Sequence, residues 1–219
     1  MTKVIVVGGG PAGMLAAYGA ATCGAQVILL EQNEKLGKKM FITGKGRCNI
    51  TSDSQVEELI QNVTRNPRFL YSAFYTFSSD AIVALLEENG LKTKVERGKR
   101  VFPVSDKSSD VIKTLEKILH QAKVQVRLRT KVVDILLSDG TVSGVRLADG
   151  KTLAADRVIM ATGGVSYPST GSDGSGFVMA KKLGIQVEEL HPGLIAMKER
   201  GDTCANLQGL TLKNVALTL

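Results

Sequence analysis

Cysteine is scarce in this 219-residue chain, which contains only Cys23, Cys48 and Cys204. An odd number of cysteines at such wide spacing provides neither a disulfide framework nor a CxxC pair for a metal ion. We therefore expect reduced thiols, no metal site and a cytoplasmic location.

Aromatic residues and long apolar runs are scarce as well: tryptophan is absent, and aromatic residues make up 5% of the chain. The most apolar stretches, residues 4–7 and 27–30, are far shorter than the roughly 20 residues that cross a bilayer. Glycines 8–10 interrupt the first stretch before it reaches the length of a signal peptide. We predict no membrane-spanning helix and no membrane partner.

Acidic residues are outnumbered, because 28 lysines and arginines face 21 aspartates and glutamates and give a net charge of +7. Such a balance suits a polyanionic partner, but the basic residues are scattered and no RNA-binding aromatic signature accompanies them. We therefore expect no nucleic-acid partner. Solubility, or attraction of a small anionic ligand, accounts for the charge.

The first thirty residues have the pattern of a compact βαβ unit. Residues 3–7 form a β-branched apolar run, residues 11–21 are rich in alanine at helical spacing, and residues 26–31 predict a second buried strand. Two such strands joined through a helix are parallel, with a right-handed crossover. The predicted fold is therefore α/β and of the Rossmann type.

The rest of the chain alternates between helical and extended patterns. Residues 32–54 show neither period and predict a long loop. Ser79 is a plausible N-cap and Gly90 a plausible stop for one helix, and Asp-Gly pairs at 139–140 and 149–150 predict hairpin turns within a β-meander. Helices are predicted over residues 55–62, 68–77, 80–89, 110–122 and 177–183. Extended segments are predicted over 92–104, 157–161, 194–197 and 212–219. The predicted meander consists of four short strands, at 124–128, 132–137, 142–147 and 151–153.

A GxGxxG fingerprint, formed by Gly8, Gly10 and Gly13, lies between the first predicted strand and helix. In this motif the first glycine permits a tight turn, the second lets the backbone approach a pyrophosphate, and the third allows close helix–strand packing. Pro11 and Ala12 then stand at the helix N-terminus, whose unpaired N–H groups and partial positive charge favour a diphosphate.

Glu31, at the end of the second predicted strand, is placed to accept hydrogen bonds from ribose hydroxyls, and its charge disfavours a 2′-phosphate. Gln32 follows it on the same edge. The fingerprint therefore predicts FAD or NAD rather than NADP. The late β-meander favours FAD, because a simple NAD dehydrogenase more often continues with regular βα repeats.

The fingerprint, the meander and the final strand with its Ala161-Thr162-Gly163-Gly164 turn together resemble the glutathione-reductase-like FAD domain. This resemblance implies that the turn approaches the cofactor and that the backbone near Val132 meets the adenine. Three segments sharpen it: residues 37–39, the GKGRCNIT run at 44–51, and the glycine-rich region at 163–174. They are similar to the bacterial flavoprotein family that includes aminoacetone oxidase and the BaiN-like reductases.

The resemblance implies an FAD-binding domain over residues 1–190, interrupted by an inserted β-rich domain that begins at residues 191–219. A carboxyl-terminal segment would return to complete the flavin site. The chain ends within an apolar alternation, so we expect it to be an amino-terminal fragment. A threonine–serine pair at 51–52 stands where the family has Thr-Asn, which affects only a loop contact.

The basic loop adds further candidate cofactor contacts. Lys38, Lys39 and Arg47 are predicted to place positive charge beside the pyrophosphate. Gly44 and Gly46 would let the backbone lie close to the ribityl chain or the flavin.

Four polar or small side chains near these segments have open roles. Cys48 is predicted to belong to the cofactor site as a small buried side chain that packs near the flavin. A redox role is disfavoured, because no other cysteine lies near it in sequence to resolve a disulfide. Asn49 either hydrogen-bonds a flavin heteroatom or forms an Asx-turn. Ser166 and Tyr167 are weak catalytic candidates for contact with the substrate or for proton transfer.

The predicted function is hydride transfer between a small organic substrate and FAD. Only one dinucleotide fingerprint is present, so NAD(P)H as a reductant would bind transiently, and an oxidase and a reductase both stay open. The alternatives are an NAD-dependent dehydrogenase and a non-catalytic flavin sensor that docks on a protein or RNA. Oligomeric state is left open.

Overall fold

The computed structural model describes residues 1–193, 198–210 and 215. The chain divides into two compact units, Met1–Gln186 and Val187–Leu219. The predicted strands at 194–197 and, apart from Val215, at 212–219 lie outside the described residues. The described part of the second unit contains a short helix, Thr203–Asn206.

The first unit contains both helices and strands in alternation. Its strands are β1 (Lys3–Val7), β2 (Gln26–Leu30), β3 (Thr51–Ser52), β4 (Thr93–Glu96), β5 (Arg100–Pro103), β6 (Gln125–Arg127), β7 (Val132–Ser138), β8 (Thr141–Leu147), β9 (Thr152–Ala154) and β10 (Arg157–Met160). Its helices are α1 (Pro11–Thr22), α2 (Lys38–Ile42), α3 (Val56–Gln61), α4 (Tyr71–Thr76), α5 (Ser79–Glu88), α6 (Ser108–Gln121) and α7 (Ser175–Lys182). Short 3₁₀ turns cover Thr43–Gly46, Pro67–Leu70 and Pro168–Thr170.

A parallel sheet in the order β10-β1-β2-β6 forms the centre of this unit. β1 and β2 are apolar along nearly their whole length because both faces of the sheet are covered. Val4 and Val6 pack in one core cluster with α1 and α6, while Ile5 and Val7 pack in a second cluster with the meander and α7. The alternation of side chains along one strand therefore builds a three-layer α/β fold, which confirms the predicted class.

The meander consists of β7, β8 and β9 in antiparallel order. Asp139 and Gly140 both have positive φ, 50° and 75°, as a tight hairpin turn requires. The prediction that residues 124–128 open the meander is wrong. β6 instead pairs in parallel with β2, with Ile28 opposite Gln125, and extends the central sheet.

Residues 32–54 are more ordered than the predicted loop. They contain α2, a 3₁₀ turn and β3, which pairs with β5 in a small antiparallel sheet completed by β4. The N-cap of α5 is Ser78, whose hydroxyl accepts a hydrogen bond from the backbone N–H of Ala81 at 3.3 Å, so the prediction of Ser79 is wrong by one residue. Gly90 ends α5 with a φ of 99°, as predicted.

One stretch of the described residues, Pro67–Glu88, is long and apolar enough by length and composition to cross a membrane. Polar residues divide this stretch, so it contains no long uninterrupted apolar run. The backbone interrupts the stretch at Phe77 (φ −140°, ψ 88°) and Ser78 (φ −78°, ψ 173°), which separate α4 from α5. The stretch therefore consists of a 3₁₀ turn and two separate helices.

Candidate functional site

A cleft of about 300 Å³ lies at the carboxyl edge of the central sheet. Its walls are the segments that follow β1, β2 and β10, together with backbone near the start of β7. In open parallel sheets this edge is where ligands bind, at the point where successive connections leave toward opposite faces. Of the predicted cofactor contacts, those that line the cleft are Gly8, Gly10, Pro11, Ala12, Glu31, Gln32, Lys38, Lys39, Val132, Ala161, Thr162 and Gly163.

The fingerprint glycines divide into two kinds. Gly8 has a φ of 110°, and a Cβ there would overlap the carbonyl oxygen of Ala161; a Cβ on Gly13 would overlap the carbonyl oxygen of Gly8. These two glycines are therefore required for packing. Gly10 differs, because among the described residues, its chain neighbours aside, no atom lies within 4 Å of a Cβ built on it, and its backbone is extended at φ −78°, ψ −179°. The space beside Gly10 is thus left to a ligand.

The N-terminus of α1 opens onto the same cleft. Gly10 is its N-cap, no side chain caps it, and Pro11 stands at the first turn. The N–H of Met14 donates to the carbonyl oxygen of Gly10 at 2.9 Å and begins the helical ladder. Amides before Met14 have no partner within the helix, so this terminus offers N–H donors and a partial positive charge to an anion.

Glu31 is buried, with 7% of its surface exposed. Its Oε2 accepts a hydrogen bond from the backbone N–H of Gly9 at 2.6 Å, and its Oε1 accepts the backbone N–H and the side-chain Nδ2 of Asn33 at 2.8 and 2.7 Å. A carboxylate offers about four acceptor positions. With three of them filled, one position is left on Oε2 for a donor from a ligand.

Gly9 and Asn33 were missed by the sequence analysis. A Cβ on Gly9 would overlap Leu36 Cδ2 and lie 2.9 Å from Glu31 Oε2. The absence of a side chain at this central glycine of the triplet therefore leaves room for the Glu31 carboxylate. The sequence signal that could have identified Gly9 is the run of three glycines at residues 8–10. Asn33 follows Glu31 by two residues in an otherwise polar segment, and no sequence pattern distinguishes it from Gln32.

A strap, defined as residues 168–172, borders the cleft opposite the fingerprint turn. Gln32 Nε2 donates to the carbonyl oxygen of Gly171 at 2.8 Å, and Asn33 Nδ2 donates to that of Thr170 at 3.1 Å. Thr170, Gly171 and Ser172 line the cleft, as does Ser175 at the start of α7. The glycine-rich region at 163–174 supports the family resemblance, but its sequence predicts no cofactor contact within the strap.

Three lysines line the cleft. Lys38 Nζ lies 3.4 Å from Asn33 Oδ1 and 3.3 Å from Glu34 Oε2, and Lys39 Nζ lies 3.3 Å from Ser166 Oγ. Lys131, which the sequence analysis did not single out, lies 3.3 Å from Asp173 Oδ2. Cationic walls around an uncapped helix N-terminus suit a diphosphate.

Arg47 does not line the cleft, so its predicted contact with the pyrophosphate stays a prediction. Its guanidinium pairs with Glu96 and, at 2.6 Å, with Asp106, and lies over the Phe102 ring at 4.2 Å from the centroid. The hydrogen bond from Arg47 lowers the pKa of Glu96, and hydrogen bonds from Lys94 and then Arg47 lower that of Asp106. Two carboxylates thus engage the charge that was assigned to the pyrophosphate.

The loop around Arg47 has an unusual backbone and also lies outside the lining of the cleft. Gly44, Lys45, Gly46 and Cys48 all have positive φ, and a Cβ on Gly44 would lie 3.0 Å from the backbone nitrogen of Asn49. Cys48 is 2% exposed and belongs to the first core cluster, so the predicted burial is confirmed, whereas its packing near the flavin stays a prediction. Burial raises the pKa of its thiol, which disfavours the reactive thiolate.

The turn after β10 enters the cleft only in part. Ala161, Thr162 and Gly163 line it, whereas the predicted contact Gly164 and the catalytic candidates Ser166 and Tyr167 do not. Tyr167 is 64% exposed, and its carbonyl oxygen accepts hydrogen bonds from Thr170 that shape the strap.

The chain matches the HI0933-like protein Rossmann domain family over residues 2–215. It belongs to this family. It is 34% identical over 212 residues to the 3-dehydro-bile acid delta(4,6)-reductase of Clostridium scindens, covering 96% of this chain and 51% of that protein. It is 28% identical over 192 residues to the ribosomal RNA dihydrouridine synthase of Escherichia coli, covering 87% and 46%. The chain therefore spans about half the length of the curated relatives that it matches.

Solved structures agree with this HI0933-like assignment. The open conformation of a flavocytochrome c3 fumarate reductase superposes with a TM-score of 0.65 at 26% identity, over 83% of this chain and 40% of that one. A 3-ketosteroid-delta4-(5alpha)-dehydrogenase from Rhodococcus jostii shares the fold, with a TM-score of 0.62 at 17% identity over 84% and 54%. The predicted Rossmann-like FAD-binding fold is confirmed.

The family and its flavoprotein relatives support FAD as the cofactor, as predicted. The cleft fits this molecule on independent grounds. The space beside Gly10 is open, the uncapped N-terminus of α1 lines the cleft, and Glu31 keeps one acceptor position for a hydroxyl. These are the features that a diphosphate and an adenosine ribose require.

Proposed function

We propose that the protein containing this HI0933-like chain is an FAD-dependent reductase of carbon–carbon double bonds conjugated to a carbonyl group. The observation that carries the proposal is the cleft itself. It is lined by Gly10, which has open space beside it, and by Glu31, whose carboxylate keeps one hydrogen-bond acceptor position for a ligand. The cleft supports dinucleotide binding, and the relatives support the reaction.

The names of three relatives point to the same chemical change, the reduction of a carbon–carbon double bond. A bile acid delta(4,6)-reductase acts on double bonds of a 3-dehydro steroid, a fumarate reductase on the double bond of a dicarboxylate, and a dihydrouridine synthase on the double bond of uracil. In each substrate the double bond is conjugated to a carbonyl or carboxyl group, which makes the distant carbon an acceptor for hydride. Bound FAD, once reduced, supplies that hydride.

In this proposal the described residues bind and orient the cofactor. The backbone N–H groups of Ala12 and Gly13 and the charge of Lys38 and Lys39 hold the diphosphate, and Glu31 accepts a hydrogen bond from a ribose hydroxyl. The contacts predicted at Val132 and at Ala161–Gly163 belong to the same proposal. Ser166 and Tyr167 stay the candidates for proton transfer to the substrate.

The finer predictions complete the proposal. Residues 1–190 form the FAD-binding domain, and residues 191–219 begin a β-rich inserted domain. NAD(P)H is the transient reductant. We place the protein in the cytoplasm, since Cys23, Cys48 and Cys204 are free thiols, the form that a reducing compartment preserves.

A uracil base within RNA is the second candidate substrate. Two relatives are ribosomal RNA dihydrouridine synthases, from Escherichia coli and Haemophilus influenzae, and the chain carries a net charge of +7. A basic surface favours binding to RNA. The absence of a nucleic-acid partner therefore stays a prediction.

The test uses the full-length protein, purified with its flavin and reduced without oxygen. A 3-keto steroid with a delta-4,6 diene and an unmodified ribosomal RNA are then added separately, and the return of the oxidised flavin spectrum is followed. Rapid reoxidation by the steroid, with a product two hydrogens heavier, supports the first candidate. Reoxidation by RNA alone supports the second. A colourless protein that takes up no FAD refutes both.

A further inference from the structure

The side-chain amide of Asn33 joins three parts of the cleft. Its Nδ2 donates to Glu31 Oε1 at 2.7 Å and to the carbonyl oxygen of Thr170 at 3.1 Å, and its Oδ1 faces Lys38 Nζ at 3.4 Å. Both amide hydrogens and the amide oxygen are therefore engaged. Rotation of the amide by half a turn would bring its oxygen against the carboxylate of Glu31, so the observed orientation is the stable one.

The backbone of Asn33 fixes the same point. Its N–H donates to Glu31 Oε1 at 2.8 Å, and its carbonyl oxygen accepts the N–H of Arg129 at 2.9 Å. Oε1 of Glu31 thus receives two donors from one residue and has no acceptor position left for a ligand. The remaining position lies on Oε2, beside the N–H of Gly9.

We propose that Asn33 is a positioning residue for adenosine recognition: it holds Glu31 so that Oε2 faces the ribose, and it ties this carboxylate to the strap at residues 168–172. This inference rests on the proposed binding of FAD in the cleft. A freely rotating glutamate loses side-chain entropy when it meets a hydroxyl, whereas a carboxylate already held by three donors does not.

Gln32 provides a matched control. Its Nε2 donates to the carbonyl oxygen of Gly171 at 2.8 Å and so holds the same strap, but none of its described hydrogen bonds reaches Glu31. If Asn33 acted only by holding the strap, Asn33→Leu and Gln32→Leu would have the same effect. If Asn33 positions Glu31, only Asn33→Leu changes how the protein distinguishes ribose from deoxyribose.

The experiment compares the binding of ADP and 2′-deoxy-ADP to the full-length protein stripped of its flavin, measured by calorimetry. The wild type is expected to bind ADP at least about tenfold more tightly, since a hydrogen bond to a charged group stabilises a complex by roughly 1.4 kcal/mol or more. Gln32→Leu is expected to weaken the binding of both ligands equally, so the ratio of their dissociation constants stays that of the wild type. Asn33→Leu lowers the ratio toward one.

Asn33→Asp is the second variant, because it preserves the shape of the side chain and turns its donors into acceptors that repel Glu31. This variant is also expected to lose the preference for ADP over 2′-deoxy-ADP. Thermal unfolding identifies which variants are folded. A full ADP preference in either folded Asn33 variant overturns the inference, as does a wild-type ratio of one. Both readouts are independent of turnover, so a protein that keeps the ratio but reduces no unsaturated substrate contradicts the proposed reaction and leaves Asn33 in its role.

Discussion

Replacing Gly10 with valine separates ligand binding from folding, because this glycine has a different environment from its neighbours in the fingerprint. Its chain neighbours aside, a Cβ at Gly10 meets no atom of the residues that the structure describes within 4 Å, and its backbone conformation is one that any residue adopts. We expect Gly10→Val to lower the free energy of unfolding of the flavin-free protein by only about 1 kcal/mol, the cost of a poor N-cap residue.

The effect on FAD is expected to be much larger. The valine side chain would occupy the space through which a diphosphate approaches the amides of α1. Loss of two charge-assisted hydrogen bonds, at roughly 1.5–3 kcal/mol each, raises the dissociation constant by about two to four orders of magnitude. FAD fluorescence titration of the flavin-free protein measures this change, and thermal unfolding of the same sample measures stability. FAD affinity equal to that of the wild type in folded Gly10→Val would refute the placement of the diphosphate.

The other predictions concern packing, the ion cluster and the strap. Gly13→Ala is expected to reduce soluble, folded protein sharply, because its Cβ would overlap the carbonyl oxygen of Gly8; a normal melting temperature would contradict this packing. Cys48→Ser is expected to retain FAD, with a lower melting temperature because the thiol is buried in the core, and loss of flavin without loss of stability would point to a direct role. Hydrogen bonding in the cluster around Arg47 lowers the pKa of Glu96 and Asp106, so this contribution to stability is present above the unfolded carboxyl pKa of about 4 and is lost as the pH falls below it. Arg47→Met should therefore flatten the dependence of the melting temperature on pH between about 5 and 3, whereas an unchanged slope would exclude the pairing. Gly171→Ala is expected to speed FAD dissociation in stopped-flow dilution, because its Cβ would lie 2.7 Å from Asn33 Nδ2 and 2.9 Å from Gln32 Nε2; an unchanged dissociation rate would contradict a role for the strap.

The βαβ unit could be predicted almost to the residue because its pattern is strong. β1 matches the predicted bounds, and α1 and β2 differ from theirs by one residue. Each strand is apolar on both faces, and the glycine triplet marks the turn between strand and helix. The position of Glu31 at the end of β2 follows from the same pattern.

Elements whose identity depends on distant partners could not be predicted in this way. β6 has three residues, and its assignment to the central sheet depends on pairing with β2, about a hundred residues earlier in the chain. α2 has five residues, too few for a helical period to show. Short segments take their structure from tertiary context rather than from their own sequence.

The residues of the candidate site also divide into those that a local sequence pattern predicts and those that depend on distant partners. Residues of the fingerprint were found because their spacing has a mechanism, whereas Asn33 and the strap meet only in the folded chain, across 137 residues. Arg47 was placed beside the pyrophosphate because charge and sequence proximity favoured it. Its partners Glu96 and Asp106 lie 49 and 59 residues away in the sequence, and no local sequence pattern predicts ion pairs over such distances.

The most direct test of the account is a crystal structure of the full-length protein with FAD bound. We predict that the diphosphate lies against the backbone amides at the N-terminus of α1, beside Gly10, and that a ribose hydroxyl of the adenosine donates to Glu31 Oε2. An adenine dinucleotide bound away from the carboxyl edge of β1, or a diphosphate with no contact to this turn, would contradict the central claim.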